Sequence, residues 1–468
     1  MTAVRYSLIV LFIIAVNCIY SQENSNTPTL GIKQYLTNIE MNYPLFKKAD
    51  NIIRESEYNL KAQRGLYDPF VKADYENKYF NSNNYYSVLS SEIKQPIFTS
   101  QYLKAGYEFG EGIYLNPESK TSSYGMPFLG FEASLLQGML FDKRRASVLK
   151  AREYLKYGQA ERNDIVNDVF LEASSFYAEL SYVNAQLNIY NYFIQLAKTR
   201  NQGIIALAEI GEKPFIDTVE ASITYQSRVL ELQSLSVDNR KVAAIVNSFN
   251  WKSDGTVNTS FNFNIDSLEL IFNHYKEILI KELNNDTINN PELQQYFIKQ
   301  NIFKIEKRLK AEMIKPQLDV KYNFLSNNYN SLSPQLNSNN YKWGATLSFP
   351  LFLRTPRNEY KIAGLQFMNS RLETDAKSNE LRNKVENYIK AISIISDQIN
   401  NAQRNKVLSK RLLEAEKLKF DNGESSLFLL NMRENKWLEA EIKLNEYKLK
   451  FITSVLQLIH LKGNLNYK

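Results

Sequence analysis

Gly211-Glu212-Lys213-Pro214-Phe215-Ile216-Asp217 is matched further along the chain by Gly423-Glu424-Ser425-Ser426-Leu427-Phe428-Leu429, at a shift of 423 − 211 = 212. Upstream, Gly138-Met139-Leu140-Phe141-Asp142-Lys143-Arg144-Arg145 aligns with Pro350-Leu351-Phe352-Leu353-Arg354-Thr355-Pro356-Arg357 at the same shift, 350 − 138 = 212. Ala151 falls on Ala363. Landmarks that far apart do not keep one offset by chance, so the chain reads as an internal duplication of one large unit.

Between the landmarks the pattern is helical. Phe141 to Ile210 contains two glycines, Gly158 and Gly203, and no proline. Apolar residues recur in steps of three and four through Val166, Val169, Ala173, Phe176, Leu180, Val183, Leu187, Tyr190, Ile194 and Ala197. The second copy carries a similar seam from Leu381 through Val385, Tyr388, Ile392, Ile395 and Ile399 to Ala402. Such heptads predict helices that pack along their whole length. A helix of about 70 residues would be about 105 Å long. On heptads alone the chain would be a coiled-coil rod.

The remaining sequence argues against a bare rod. In Val71 to Tyr79 the period becomes two: Val71, Ala73, Tyr75 and Tyr79 alternate with Lys72, Asp74, Glu76 and Lys78. The second copy repeats this with Leu318, Val320, Tyr322 and Phe324 against Gln317, Asp319, Lys321 and Asn323. The shift here is 316 − 69 = 247 from Pro69 to Pro316, and Pro44 falls on Pro291 at the same value. Each segment predicts a strand with one oily and one charged face.

The change of shift, 247 − 212 = 35, places an insertion of about that length between Pro69 and Gly138. It too alternates, with Leu103, Ala105, Tyr107 and Phe109 against Lys104, Gly106, Glu108 and Gly110. Phe131, Ala133 and Leu135 make a last strand, with Ala345, Leu347 and Phe349 as partner. The insertion could lengthen, widen or cover whatever the strands build.

The count is four clear strands, up to six. About eight are needed for the smallest membrane barrel, and an open edge cannot lie in lipid. If these strands span a bilayer, several chains must share one barrel. The plainer reading is a small soluble sheet capping a rod. Thirty Tyr and 26 Phe favour the membrane.

Residues 1–21 read as an export signal, with Arg5, the apolar run Leu8 to Val16 and a small residue, Ser21, at the cut. Cys18, the only cysteine, lies inside it; a lipid-attachment role is the alternative, although Asn17 is bulky for that position. The net charge of +7 is spread among acids along the helices, so no basic patch for nucleic acid emerges.

Three further segments follow. Residues 22–245 form the first repeat, with strands within about 69–137 and a helical hairpin turning near Gly211. Residues 246–292 form a polar joining region with Phe261, Phe263 and Ile265. Residues 293–468 form the second repeat, with strands within about 316–350 and a hairpin turning near Gly423. Leu30 to Leu66 reads as helix, broken or started at Pro44.

Catalysis finds no foothold. The two histidines, His274 and His460, stand apart. No metal-ligand spacing, phosphate loop or nucleophile elbow occurs, so no enzyme, cofactor or metal site is expected.

The doubled helix-strands-helix plan, the Pro350-Leu351-Phe352 strand exit into a long helix and the glycine turns at Gly211 and Gly423, behind an export signal, resemble the TolC-like outer-membrane efflux ducts over nearly the whole mature chain. The resemblance implies a mainly α protein with a transmembrane β part: a homotrimer whose strands share one barrel in the outer membrane of a Gram-negative bacterium, and whose helices form a periplasmic tunnel. It implies a periplasmic adaptor and an inner-membrane pump or type I exporter as partners. Adaptor contact would fall on Gly211, Glu212, Gly423, Glu424 and Ser425, and the constriction of the tunnel entrance on Asp217. Leu429, with Asn431 nearby, stands where a second acid would be expected. A lipid-anchored coiled-coil protein without a pore and a substrate-gated porin are the alternatives.

Overall fold

The computed structural model describes residues 29–97, 99–257, 264–284, 287–326 and 339–464. The export signal, Cys18, Phe261 and Phe263 lie outside them.

The described elements follow the doubled plan. A short β1 (Thr29–Leu30) leads into α1 (Ile32–Asn42) and α2 (Pro44–Arg64). Four strands follow: β2 (Phe70–Phe80), β3 (Asn83–Pro96), β4 (Gln101–Glu111) and β5 (Met126–Ser134). Then come α3 (Lys143–Glu209), α4 (Phe215–Ser248), β6 (Asn264–Ile265) and α5 (Leu268–Leu283). The second copy has α6 (Pro291–Glu312), β7 (Gln317–Leu325), β8 (Tyr341–Ser348), α7 (Arg354–Asp421) and α8 (Leu427–Lys462).

Both offsets read from the sequence reappear in the element boundaries. α2 and α6 each begin on a proline at the first helical position, 291 − 44 = 247, where the missing N–H costs nothing. β2 and β7 start at 317 − 70 = 247. α3 and α7 end at 421 − 209 = 212, and α4 and α8 start at 427 − 215 = 212. α3 has 67 residues and α7 has 68, so each is about 100 Å long at about 1.5 Å per residue.

Shorter helices pack along the long ones. Leu60 of α2 meets Val148 and Ala151 near the start of α3, and farther along α3 Asn239 of α4 donates to Asn184 at 2.6 Å. On α7, α6 reaches the first half through the Lys310–Glu359 ion pair at 2.8 Å. α8 reaches the second half through Lys406–Glu441, also at 2.8 Å. The heptad residues Val166, Val169, Ala173, Leu180, Leu381, Val385 and Ile392 are buried, as their spacing requires.

The largest core gathers where the joining region meets the rod. Tyr35, Leu36 and Ile39 of α1, Phe170 and Tyr177 of α3, Val246 of α4, Ile271 and Tyr275 of α5, and Ile452, Val455 and Leu456 of α8 all belong to it. Buried tyrosine hydroxyls find acceptors there: Tyr35 donates to the Val246 carbonyl at 3.1 Å and Tyr177 to the Leu30 carbonyl at 2.7 Å. β1 and β6 pair in parallel beside it. The described part of the joining region therefore packs against the rod, with α5 docked on α8 and α3.

The other strands form one antiparallel sheet in the order β2-β3-β4-β5-β7-β8, curled into a half-barrel. The insertion supplies the β3–β4 hairpin, so the first copy gives four strands and the second gives two. A two-residue turn at Asn81–Ser82, both with positive φ (50° and 59°), joins β2 to β3, the geometry that suits the right-handed twist of a tight hairpin. Among the described residues no helix is long and apolar enough to cross a membrane.

Candidate channel wall and helical tips

Cross-strand register sorts the sheet into two faces. Val71 lies opposite Ile93, Tyr75 opposite Leu89, Leu89 opposite Phe109 and Ala105 opposite Leu129. Phe131 lies opposite Tyr322, and Tyr322 opposite Trp343. These residues share one face, since partners directly opposite in a ladder point the same way. That face is open: Val71, Tyr75, Leu103, Phe131, Trp343 and Leu347 are all exposed.

The other face carries the charges: Lys72, Asp74, Glu92, Lys94, Lys104, Glu132, Asp319 and Lys321. At the middle strands this face is sheltered, Lys104 and Phe128 being buried, whereas Lys72 and Asp74 on the edge strand β2 are exposed. Lys94 pairs with Glu92 at 3.0 Å, and Lys104 pairs with Glu132. Gly106 leaves the space that the Phe128 ring fills; a Cβ there would lie 2.5 Å from Phe128 Cζ. An aromatic exterior and a paired-charge interior are the arrangement of a barrel wall around water.

The sheet is keyed to the long helix. Asp142 caps α3 by accepting from the Arg145 N–H at 2.9 Å. Arg144 donates to the Thr99 carbonyl in the β3–β4 turn. Its guanidinium lies over Tyr102 at 4.5 Å and Tyr67 at 5.4 Å. The inserted hairpin is thus fastened at its helix-side turn.

At the far end of the rod the two glycine turns are built alike. Gly211 has φ +80° and Gly423 has φ +79°, the left-handed conformation that ends a helix with little strain only in glycine. The Glu212 N–H donates to Leu207 O at 2.9 Å, and the Glu424 N–H to Lys419 O at 2.8 Å. The turns lie side by side: Lys213 stands 4.9 Å over the Phe420 ring, and Ile204, Ala221 and Leu427 form a small core beneath. Glu212 and Glu424 are exposed. Ser425 donates to Glu416 at 2.6 Å and holds that carboxyl below its usual range. Phe215, Ile216 and Phe428 stand bare beside them. The structure therefore gathers Gly211, Glu212, Gly423, Glu424 and Ser425 at one tip. Asp217 lies in the first turn of α4, half-buried, where a carboxylate suits the positive end of the helix dipole.

Asn431 turns inward instead. It accepts from Arg200 at 2.7 Å and donates to Glu220 at 3.0 Å. Beside it Glu434, 1% exposed, takes ion pairs from both Arg200 and Arg228. Arg228, 4% exposed, also donates to the Phe193 carbonyl at 2.9 Å and to Asn435 at 3.1 Å. The sequence reading missed this network. Its signal was present: Arg228 follows Ala221 by seven residues, and Glu434 lies between Leu427 and Leu430 on one side and Trp437 and Leu438 on the other. A charge inside an apolar seam marks a buried pair.

His274 is half-buried against Tyr275, and His460 pairs with Asp168 at 2.7 Å. Among the described residues no three His, Cys, Asp or Glu side chains gather as a metal site would require.

Residues 285–464 match the model of the outer membrane efflux protein family. No curated protein matches the sequence. Solved structures match over most of the chain. The Campylobacter jejuni CmeC outer membrane channel is 13% identical with a TM-score of 0.63, over 92% of this chain and 85% of that one. The outer membrane protein VceC from Vibrio cholerae is 12% identical with a TM-score of 0.63, over 92% and 96%. The Neisseria gonorrhoeae MtrE outer membrane channel in its open state is 11% identical with a TM-score of 0.61, over 93% and 89%. By sequence the chain thus resembles the outer membrane efflux proteins over residues 285–464, and over nearly its whole length its fold is that of these solved outer membrane channels.

Proposed function

We propose that the protein is a passive trimeric channel-tunnel of the outer membrane of a Gram-negative bacterium, the exit duct of a tripartite efflux pump or type I secretion system. One observation carries this: a curled sheet with an aromatic outer face and a charged inner face continues directly into paired helices about 100 Å long. The sheet occupies lipid, and the helices extend into the periplasm. A rod without a pore would leave Val71, Tyr75, Phe131, Trp343 and Leu347 bare in water for no return.

The tips at Gly211, Glu212, Gly423, Glu424 and Ser425 would meet a periplasmic adaptor, which couples the duct to an inner-membrane pump or exporter. The bare Phe215, Ile216 and Phe428 beside exposed acids suit such a contact. Three copies of Asp217 would form one acidic ring at the tunnel entrance and favour cations there. Energy for transport would come from the partners, and the chain would act without catalysis. The test is purification from outer membranes followed by planar-bilayer recording. Heat-stable trimers that conduct support the proposal; a monomeric rod that inserts no channels ends it.

A further inference from the structure

Basic charge is concentrated where the helices meet the six-stranded sheet. The eight helical residues nearest the sheet in α2, α3, α6 and α7 (57–64, 143–150, 305–312 and 354–361) hold twelve Lys and Arg and four Glu. Their net charge is 12 − 4 = +8, whereas the whole chain carries +7, which leaves 7 − 8 = −1 for everything else. The far end of the sheet shows no such excess: residues 80–84 and 111–125 hold two acids and one base. We propose that this basic collar binds the anionic headgroups of the phospholipid leaflet that faces the periplasm. The leaflet rests on the outer-membrane reading above; the charge and its placement come from the fold.

Three of the four acids are already taken. Glu306 pairs with Lys150, Glu359 with Lys310 at 2.8 Å and Glu312 with Lys315 at 2.7 Å. Lys61, Arg64, Arg308 and Arg357 are exposed and take no ion pair among the described residues. All four stand within about 6 Å of a helix end at about 1.5 Å per residue. The headgroup layer of a bilayer is about 6 Å deep on each side.

Chain handedness turns these cations to the oily side of the sheet. Leu318 of β7 lies on the oily face, and its carbonyl accepts from the Leu135 N–H beside β5 at 2.8 Å. For L-residues in a strand leaving the helices, this sets β5 to the right of β7 when the oily face is viewed with the helices below. The helices then run α7, α6, α3 and α2 from left to right. α2 and α6 rise towards the sheet. In a rising right-handed helix, the residue after a left-hand contact turns about 100° towards the viewer. Leu60 meets Val148 and Ala151 of α3 on its left, so Lys61 turns outward, and Arg64, one turn above Leu60, leans the same way. Lys307 lies over Tyr360 and Phe367 of α7 on its left, so Arg308 turns outward. α7 descends with Phe367 towards α6 on its right; Arg357, ten residues earlier, stands about 80° from it on the outward side.

Apolar side chains fill the step between sheet and collar. Leu351 and Phe352, between β8 and α7, are 87% and 75% exposed, and the Arg354 guanidinium lies over Phe352 at 5.3 Å. Bare apolar groups beside long basic ones suit a lipid boundary, where aliphatic stems lie along acyl chains and charged heads reach the phosphates.

The whole chain reconstituted in bilayers, with spin-labelled phosphatidylglycerol or phosphatidylcholine as the probe, tests the collar. Motionally restricted lipid should favour phosphatidylglycerol about fivefold at about 0.02 M salt, the factor that one basic residue supplies near an anionic lipid surface. The preference should fall towards equality at about 0.5 M salt, where the screening length is about 4 Å. Lys61→Gln/Arg64→Gln/Arg308→Gln/Arg357→Gln should lose the low-salt preference while still conducting. Lys198→Gln/Arg382→Gln/Lys390→Gln/Lys436→Gln, which removes equal charge lower on the rod, should keep it. If the collar variant does not assemble, single Arg308→Gln and Arg357→Gln variants should each lose part of the preference. Conducting protein without the preference, or a collar variant that retains it, would overturn the proposal and leave the channel reading intact. A collar variant with altered ion selectivity and unaltered lipid preference would place the four side chains on the water side and overturn it too. Preparations that form no channels would remove the channel reading, and the collar with it.

Discussion

The two repeats keep the same helical backbone and differ in their chemistry. Both have a proline-started helix, a helix of nearly equal great length, a glycine turn and a return helix at fixed offsets. Buried polar groups do not follow. Arg200 and Arg228 come from the first copy and Glu434 from the second. The residues 212 positions later than the two arginines are Leu412 and Ala440, and the residue 212 earlier than Glu434 is Ser222. Helix lengths and turns therefore recur where the buried charges do not. The network can form only between unlike copies, so it fixes how the first hairpin sits on the second.

Glu434→Ala is the strongest way to break this asymmetry. It leaves two guanidiniums facing an apolar seam, one of them almost fully buried, and removing one partner of a buried pair costs about 3–5 kcal/mol. Thermal unfolding of the purified protein should show a clear loss. Glu434→Gln should recover part of it by keeping an acceptor, and equal losses would mean that charge does not hold the hairpins together.

The glycine turns test the symmetry that remains. Gly211→Ala and Gly423→Ala each force an alanine into left-handed backbone, a cost of about 1–2 kcal/mol. An added Cβ would touch nothing within 4 Å at either site. The two variants should therefore lose equal stability in the same unfolding assay; unequal losses would show that the tips are not equivalent.

Asp217 and Leu429 sharpen the comparison at the proposed entrance. Asp217→Ala should raise single-channel conductance and weaken block by divalent cations, whereas Leu429→Asp should strengthen block by adding a second ring. Unchanged recordings for Asp217→Ala would remove that residue from the constriction.

The smallest effect belongs to the joining region. Burial, more than the nearby Lys33, lowers the pKa of His274 below its ordinary 6.5. The unfolded chain then takes up the proton first. The stability contributed by neutral His274 is complete above the ordinary value and is lost as pH falls through the lower folded value. His274→Phe should flatten the dependence of the unfolding midpoint between about pH 7 and 5. An unchanged slope would place the titration elsewhere.

Much of the β region was legible because Val71 to Tyr79, Leu318 to Phe324 and Leu103 to Phe109 alternate cleanly. β3 was not. Ser87 and Ser91 sit on its oily face, and Tyr86 and Val88 on its charged face, so period two is blurred within the strand itself. Only its neighbours assign its sides. Register is a property of pairs, and a single segment cannot report it. The buried ion network escaped for a related reason, since its members lie 206 residues apart between Arg228 and Glu434.

By itself, the sequence determined the duplication and its offsets, the long helices, the glycine reversals and the two-faced strands. Each of these follows from local periodicity or from conformations that one residue type adopts cheaply. Only the tertiary structure decided that the insertion joins the sheet, that α5 of the joining region packs on α8 and α3, and that Arg200, Arg228 and Glu434 share one buried site. These depend on which distant surfaces meet, and the energy of such contacts is set by burial that no local stretch records.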